Sequence, residues 1–316
     1  MKAKIVFMGT PEFAVPTLNA LADKHEVVAV YTREPKPSGR KLSLKKTPVH
    51  EEAESRGIPV RTPASFRKFP EEIKALHALK PEIIVVFAYG LVLPQAILDI
   101  AHCVCIHPSL LPLYRGPNPI GRSIINGDAK TGVSIMLMDA GIDSGPILTQ
   151  QEIPLTPDMT YGELETALGL IGRDMIIDYI KHRDSIMPKP QTENFTLAPK
   201  LNPCEEKINW CDPAIKIHNL IRAMNPHPKA WFTLNGNRII ALRSEVITGK
   251  ASEDSALGRI KDEVLPPGTV IDENLAIACG YCSAIRILEL QKPGGNPMNA
   301  KAFLNGCKIK PGDVFE

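Results

Sequence analysis

The sequence predicts an α/β protein of two domains: a parallel sheet covered by helices on both faces, then a smaller β-barrel or sandwich. Three observations carry this. Up to about residue 182, short runs apolar on both faces (AKIVFMG, HEVVAVYT, PEIIVVFAYG, HCVCIHP) alternate with amphipathic helical segments. Strands buried on both faces belong to parallel sheets clad in helices. Residues 187–206, MPKPQTENFTLAPKLNPCEE, are rich in proline and polar side chains and read as a linker. Beyond them, one helical segment is followed by short strand-like runs with turn signals, the pattern of a small β domain.

The elements follow in order. AKIVFMG is a strand, and PEFAVPTLNALADK a helix with proline near its start, where no backbone donor is needed. HEVVAVYT is the second strand, TPVHEEAESRG a helix stopped by Gly57, and IPVRTP a short strand. FPEEIKALHALK, PEIIVVFAYG, PQAILDIA and HCVCIHP continue the alternation. GVSIMLMDAGIDSGPIL is an apolar strand ending in an acidic, glycine-rich loop. The long helix MTYGELETALGLIGRDMIIDYIKH opens with Thr160 and Glu163 spaced as a capping box. After the linker come the helix PAIKIHNLIRAM and the strands AWFTLNG, RIIALRSEVI, GTVI, LAIACG and SAIRILEL.

A chain of 316 residues fits two domains. Its net charge of +2 implies no polyanion partner by itself, so any basic surface is local. The apolar run before Gly9 is too short for a signal peptide or a membrane helix, and the expectation is a cytoplasmic protein without a membrane partner. Seven cysteines in such a chain read as free thiols. Cys279 and Cys282 read either as a zinc or redox pair or, preferably, as two thiols flanking a Gly-Tyr turn. Cys204 and Cys211 show no metal-ligand spacing.

MGTPEF follows the first strand where a dinucleotide-binding protein carries G-x-G-x-x-G, but only Gly9 is present, which argues against a nicotinamide or flavin cofactor. Gly9 and Thr10 read as a ligand approach or as a tight turn. His107 ends a central strand and Asp143 follows the end of another. Both are expected at the carboxyl-end crevice of the sheet. A histidine beside a carboxylate suits acid–base work, and on spacing alone it reads equally as a structural histidine. Asp143 alone reads equally as a turn residue. Residues 33–50 carry six Lys or Arg against one acid and read as a flexible basic loop, either solvated or contacting phosphates.

Together these stretches resemble the methionyl-tRNA formyltransferases: FMGTPEFAVPTLNAL (7–21), PKPSGRKLSLKKTPV (35–49), FAYGLVLPQAIL (87–98), IHPSLLPLYRGPNPI (106–120), TGVSIMLMDAGIDSGPIL (131–148), INWCDPAIKIHNLIRAMNP (208–226) and LQKPGGNPMNAKAFLNG (290–306). The resemblance covers almost the whole chain. It implies a Rossmann-like formyltransferase domain (1–189), a linker (190–206) and an OB-like tRNA-binding domain (207–316). It implies 10-formyltetrahydrofolate as donor, the methionine amino group of initiator tRNA as acceptor, and no metal. A monomer with no DNA partner is the expectation. His107 and Asp143 match the catalytic pair. Ser109, Leu110, Leu111 and Pro112 match the folate-contacting loop, Phe87, Ala88, Tyr89, Gly90 and Leu91 the pterin-pocket wall, and Asp139 belongs to the acidic loop of the same pocket. Arg40 matches the arginine of the basic loop that approaches the acceptor end of tRNA, and Lys41, Lys45 and Lys46 read as phosphate contacts beside it.

Two positions depart from the family pattern. Cys105 stands where the family has asparagine, an amide expected to donate to the developing oxyanion. A thiol is a weaker and shorter donor. The alternatives are weak donation by Cys105 with a water, an amide supplied by Asn118, or a nucleophilic Cys105 that carries the formyl group. Lys229 stands where the family usually has glycine, either as a turn that avoids positive φ or as a positive charge facing tRNA. Two rival functions stay in view: formyl transfer to an amino-sugar nucleotide, and a silent tRNA-binding homologue.

Overall fold

The computed structural model describes residues 2–38, 43–248 and 265–316. Arg40 and Lys41 lie outside the described residues. The chain forms two compact units. One takes the described residues up to Pro119 with Lys130–Ile153 and Glu165–Pro199, and the other takes Ile120–Ala129, Pro154–Leu164 and Lys200–Glu316.

Up to His182 the chain runs β1 (Lys4–Gly9), α1 (Val15–Lys24), β2 (Glu26–Tyr31), β3 (Lys36–Ser38), β4 (Ser43–Lys45), α2 (Pro48–Ser55), β5 (Val60–Arg61), α3 (Pro70–Ala78), β6 (Ile83–Phe87), α4 (Gln95–Leu98), β7 (His102–His107), α5 (Pro119–Asn126), β8 (Lys130–Leu137), β9 (Ile147–Pro154) and α6 (Tyr161–His182). Helix starts follow the sequence signals. Pro48 opens α2 while the Thr47 hydroxyl accepts from the His50 N–H at 3.1 Å. Thr160 and Glu163 form the expected reciprocal cap, with the Thr160 N–H donating to Glu163 Oε2 at 2.8 Å and the Glu163 N–H to Thr160 Oγ1 at 3.4 Å.

The main sheet of the first unit has the order β5-β2-β1-β6-β7-β8-β9 among the described residues. Pairing is parallel from β5 through β7. Ile5, Val6, Phe7 and Met8 of β1 and Ile83–Phe87 of β6 are buried on both faces, as the continuous apolar runs require. The sheet then changes direction. β8 pairs with β7 antiparallel, with Val104 opposite Leu137 and His107 opposite Ser134. The carboxyl end of β8 therefore lies away from His107, which corrects the expectation that both catalytic candidates sit at carboxyl ends on one side. Asp143 belongs instead to the loop after β8, and that loop returns to His107. A run of apolar residues carries no strand direction, so this reversal is absent from the sequence pattern.

The second unit adds α7 (Ala214–Ala223), β10 (Ala230–Leu234), β11 (Asn237–Val246), β12 (Ala276–Cys279), β13 (Ser283–Gln291), β14 (Pro297–Asn299) and α8 (Ala300–Asn305). Its antiparallel, OB-like sheet has the order β10-β11-β13-β12, with β14 on β13. Asn235 and Gly236, both at positive φ, make the two-residue turn between β10 and β11. The core stacks Phe232 on Phe315 at 4.7 Å and sets Trp210 edge-on to Phe232 at 5.5 Å. Residues 154–164 are built into this unit: His218 Nε2 donates to the Pro157 carbonyl at 3.0 Å and Arg222 to the Met159 carbonyl at 3.1 Å.

Lys229 corrects an expectation. It adopts φ +88°, so the turn keeps the left-handed backbone that the substitution was expected to avoid, and Lys229 Nζ donates to Gln291 Oε1 at 2.7 Å. Cys279 is buried in the core, its thiol pushed up to about 12 by burial, whereas Cys282 is exposed on the turn to β13.

Candidate active site

Strand β7 positions the site. Cys103, Cys105 and His107 alternate onto one face. The His107 side chain is almost fully buried. Its Nε2 lies 2.9 Å from the Tyr114 carbonyl, which only accepts, so Nε2 carries a proton. The second ring nitrogen, Nδ1, faces Asp143 Oδ2 at 3.7 Å, beyond hydrogen-bond reach. The same carboxylate oxygen accepts from the Gly116 N–H at 2.8 Å. Asp143 itself adopts φ +49°, a left-handed conformation that aspartate tolerates better than most residues. The sequence-expected pair is thus brought together, and a backbone N–H from the 108–118 segment joins it.

Cys105 packs opposite Val86 and Met136 and belongs to the buried cluster with Leu111. Burial pushes its thiol far up, and the negative charge of Asp143 adds to the effect. Cys105 is therefore a neutral thiol close to the carboxylate, and a neutral thiol is a poor nucleophile. Asn118 Nδ2 is a buried amide nitrogen with no hydrogen-bond partner, although its backbone N–H donates to the Ala198 carbonyl at 3.1 Å.

The Ser109–Pro112 loop is held from β8 and β9. Ser134 Oγ donates to the Ser109 carbonyl at 2.6 Å and accepts from the Leu111 N–H at 3.0 Å, while Gln150 Nε2 donates to the Leu111 carbonyl at 2.8 Å. Ser109 Oγ is committed to the Leu113 carbonyl at 2.7 Å. In the Phe87–Leu91 stretch the side chains divide. Phe87 stacks edge-on against Phe13 at 4.9 Å and Tyr89 lies in the core beside Phe66, while Ala88 and Gly90 are exposed. Thr10 Oγ1 donates to the Tyr89 carbonyl at 2.9 Å, so the turn after β1 borders this stretch. Asp139 braces its own loop, accepting from the Gly141 N–H at 3.1 Å and from Ser144 Oγ at 2.9 Å.

Two basic candidates are described. In the hairpin of β3 and β4, Lys45 stands directly opposite Lys36, and both are exposed. Lys46 instead forms an exposed ion pair with Glu54, 2.8 Å to Oε1.

Sequence reasoning missed Tyr114, Gly116, Ser134, Gln150 and Gln191 as the frame of the site. Tyr114 and Gly116 contribute backbone atoms, which carry no residue signature. Gln191 falls in the segment read as a linker. It donates to the carbonyls of Asp143 and Gly145, at 2.8 and 2.7 Å.

Among the described residues, no helix is long and apolar enough to cross a membrane, and no cluster of His, Cys, Asp or Glu is arranged to hold a metal. A cavity of about 490 Å³ is lined by residues of the second unit alone, including Asn235, Lys292 and Lys308.

Residues 3–180 match the formyl transferase family and residues 200–308 the formyl transferase C-terminal domain family. A methionyl-tRNA formyltransferase from Brucella anthropi is 45% identical over 97% of this chain and 98% of its own. Among solved structures, an N-formyltransferase from Helicobacter canadensis, bound to folinic acid and dTDP-3-aminofucose, shares the fold with a TM-score of 0.66 at 19% identity, over 91% of this chain and 99% of its own. A HypX variant from Aquifex aeolicus shares it with a TM-score of 0.64 at 16% identity over 100% of this chain, which spans 53% of that longer protein. The close likeness runs through both domains and over nearly the full length of its relative, and the chain belongs to the methionyl-tRNA formyltransferase family.

Proposed function

We propose that this chain transfers the formyl group of 10-formyltetrahydrofolate to the free amino group of methionine on initiator methionyl-tRNA, releasing tetrahydrofolate and N-formylmethionyl-tRNA. The observation that carries the reading is the approach of His107 Nδ1 to Asp143 Oδ2, 3.7 Å, in a chain 45% identical to a methionyl-tRNA formyltransferase over its length.

The neutral amine attacks the formyl carbon, a new C–N bond forms, and the carbonyl oxygen becomes an oxyanion. The Nε2 proton is held by the Tyr114 carbonyl, so the working edge of the ring is Nδ1. A protonated Nδ1 donates to the oxyanion, and preorganised donors of this kind stabilise such charge strongly. Asp143 takes the proton from the attacking nitrogen and delivers it to the leaving N10 of folate as the old C–N bond breaks. Burial and the Asp143 charge both push the Cys105 thiol up, which favours direct transfer over a formyl group parked on Cys105. The unpartnered Asn118 amide supports the idea that this residue supplies the donor that Cys105 lacks.

Folate lies, in this reading, along Ser109–Pro112 and the exposed backbone of Ala88 and Gly90, with Asp139 fixing the loop that carries Asp143. Lys36 and Lys45 support a phosphate contact. Two like charges directly opposite on a hairpin repel, and a bound anion relieves that repulsion. The first unit is assigned catalysis and the second the holding of tRNA. The working protein is taken as a cytoplasmic monomer.

The test incubates the protein with 10-formyltetrahydrofolate and charged initiator tRNA and follows formylmethionine on the tRNA, for wild type and Cys105→Asn together. Turnover by the wild type is expected. A missing oxyanion donor typically costs about a hundredfold or more, so the asparagine variant is faster unless another group already compensates. The proposal fails if neither protein formylates tRNA, or if an amino-sugar nucleotide is formylated in its place.

A further inference from the structure

We propose that Gln191 is a positioning residue that sets the separation of His107 and Asp143 by clamping the loop that carries Asp143 to the 108–118 segment, which holds both side chains. This rests on the formyl-transfer reading above. The side chain lies in the polar segment after α6, and each end of its carboxamide grips one loop. Nε2 donates both of its hydrogens, to the carbonyls of Asp143 at 2.8 Å and Gly145 at 2.7 Å. Oε1 accepts from Arg115 Nε at 2.9 Å. Two carbonyl acceptors on one side and a guanidinium donor on the other permit only this orientation of the amide.

Arg115 stands between the two backbone groups that define the site. The residue before it, Tyr114, gives the carbonyl that accepts the His107 Nε2–H hydrogen bond, and the residue after it, Gly116, gives the N–H that donates to Asp143 Oδ2. Asp143 is therefore held at both ends, by its carboxylate through Gly116 and by its carbonyl through Gln191. That grip falls on a residue at φ +49°, a conformation that needs support from its surroundings.

The clamp has a fixed base. Lys189 exchanges two backbone hydrogen bonds with Ile147, each 2.8 Å. Thr196 Oγ1 accepts from the Tyr114 N–H at 2.8 Å, and the Ala198 N–H donates to the Arg115 carbonyl at 2.7 Å. The Arg115 guanidinium lies over the Phe195 ring, 4.5 Å from its centroid. Gln191 thus sits on a strap laced to both loops, and its three polar contacts have no slack.

The test compares full-length wild type, Gln191→Met and Gln191→Glu. Methionine keeps the length and removes every hydrogen bond. Glutamate keeps the acceptor for Arg115 but turns a second oxygen on two carbonyls. The readouts are kcat, KM for tRNA, tetrahydrofolate affinity, thermal midpoint and the pH profile of kcat. A misplacement near 1 Å costs about a hundredfold, so kcat is expected to fall roughly ten- to a hundredfold in both variants. KM for tRNA and tetrahydrofolate affinity should stay within about threefold of wild type, and the pH profile should shift, because the spacing of the acid–base pair has changed. The proposal is overturned if kcat stays within threefold, or if kcat falls only together with lost folate binding and a lowered melting point. Absence of turnover in the wild type itself overturns the formyl-transfer reading instead, so the two failures are distinct.

Discussion

Asp143→Asn is the sharpest perturbation of the site, because it removes one negative charge while keeping the shape of the side chain. The asparagine carbonyl still accepts from the Gly116 N–H, so the loop keeps its tie. What disappears is the charge 3.7 Å from His107 Nδ1, between side chains that are 5% and 23% exposed. At an effective dielectric near 20, Coulomb's law gives about 4.5 kcal/mol for a full imidazolium–carboxylate pair at that distance. Spent in the transition state, that is about three powers of ten in rate. An amide is also a far weaker proton acceptor than a carboxylate, which pushes the effect in the same direction. The assay is single-turnover formylation of charged initiator tRNA at saturating 10-formyltetrahydrofolate, with tetrahydrofolate affinity and melting point measured on the same preparations. The expected result is a rate lower by about a thousandfold with folate affinity and melting point close to wild type. A rate within tenfold of wild type refutes the assignment of charge stabilisation and proton transfer to Asp143. A loss of folate binding of the same size as the loss of rate refutes the claim that the carboxylate acts on the reaction rather than on loop structure.

Two further outcomes follow from the charges. Replacing Lys36 and Lys45 by glutamine removes two exposed cations of the hairpin, so the plot of log affinity for tRNA against log salt should become shallower by about 1.5, with folate binding unchanged; an unaltered slope removes the hairpin from the tRNA contact. The Thr160 N–H and, after it, Arg243 hold the Glu163 carboxyl down at about 2, below its usual 4.5. A depressed acid stabilises the fold above the unfolded value and loses that contribution as pH falls from about 4.5 through about 2, so Glu163→Gln should flatten the acid limb of the melting-point profile in that window, and an identical limb speaks against the cap as an acid-stability element.

Two apolar patterns are legible in the sequence, two-faced runs alternating with helices and then short runs closed by turns such as Asn235–Gly236, while the two compact units of the structure interleave along the chain. His107 and Asp143 stand out as candidates because histidine and aspartate carry acid–base groups in the side chain, and the structure brings the two within 3.7 Å. Other features are silent for physical reasons. Strand direction is not encoded in apolarity, so the antiparallel pairing of β8 appears only in the register of His107 with Ser134. Residues 120–129 and 154–164 belong to the second unit through tertiary contacts such as Arg222 to the Met159 carbonyl, which no local pattern announces. Lys229 keeps φ +88° against its intrinsic preference, with its ammonium bonded to Gln291, a case of tertiary context overriding propensity.

The candidate site shows why a few side-chain motifs under-describe the frame around them. The ring of His107 is oriented by one backbone carbonyl, the carboxylate of Asp143 by one backbone N–H, and the Asp143 peptide by a side chain that donates only to carbonyls. Every residue supplies a carbonyl and every residue except proline an N–H, so their chemical identity exerts almost no constraint. What matters is the path of the main chain. That path is constrained at Gly116, where φ is +120° and a β-carbon would stand 3.0 Å from the Ala198 carbonyl of the strap. A side chain there would open the distance between the strap and the 108–118 segment, and with it the distance from the Gly116 N–H to Asp143. The polar segment after α6 is therefore tied by geometry to the backbone groups that hold His107 and Asp143. A stretch rich in proline and polar side chains looks like a tether when read by composition, and proves bonded to both the Asp143 loop and the 108–118 segment when its hydrogen bonds are traced.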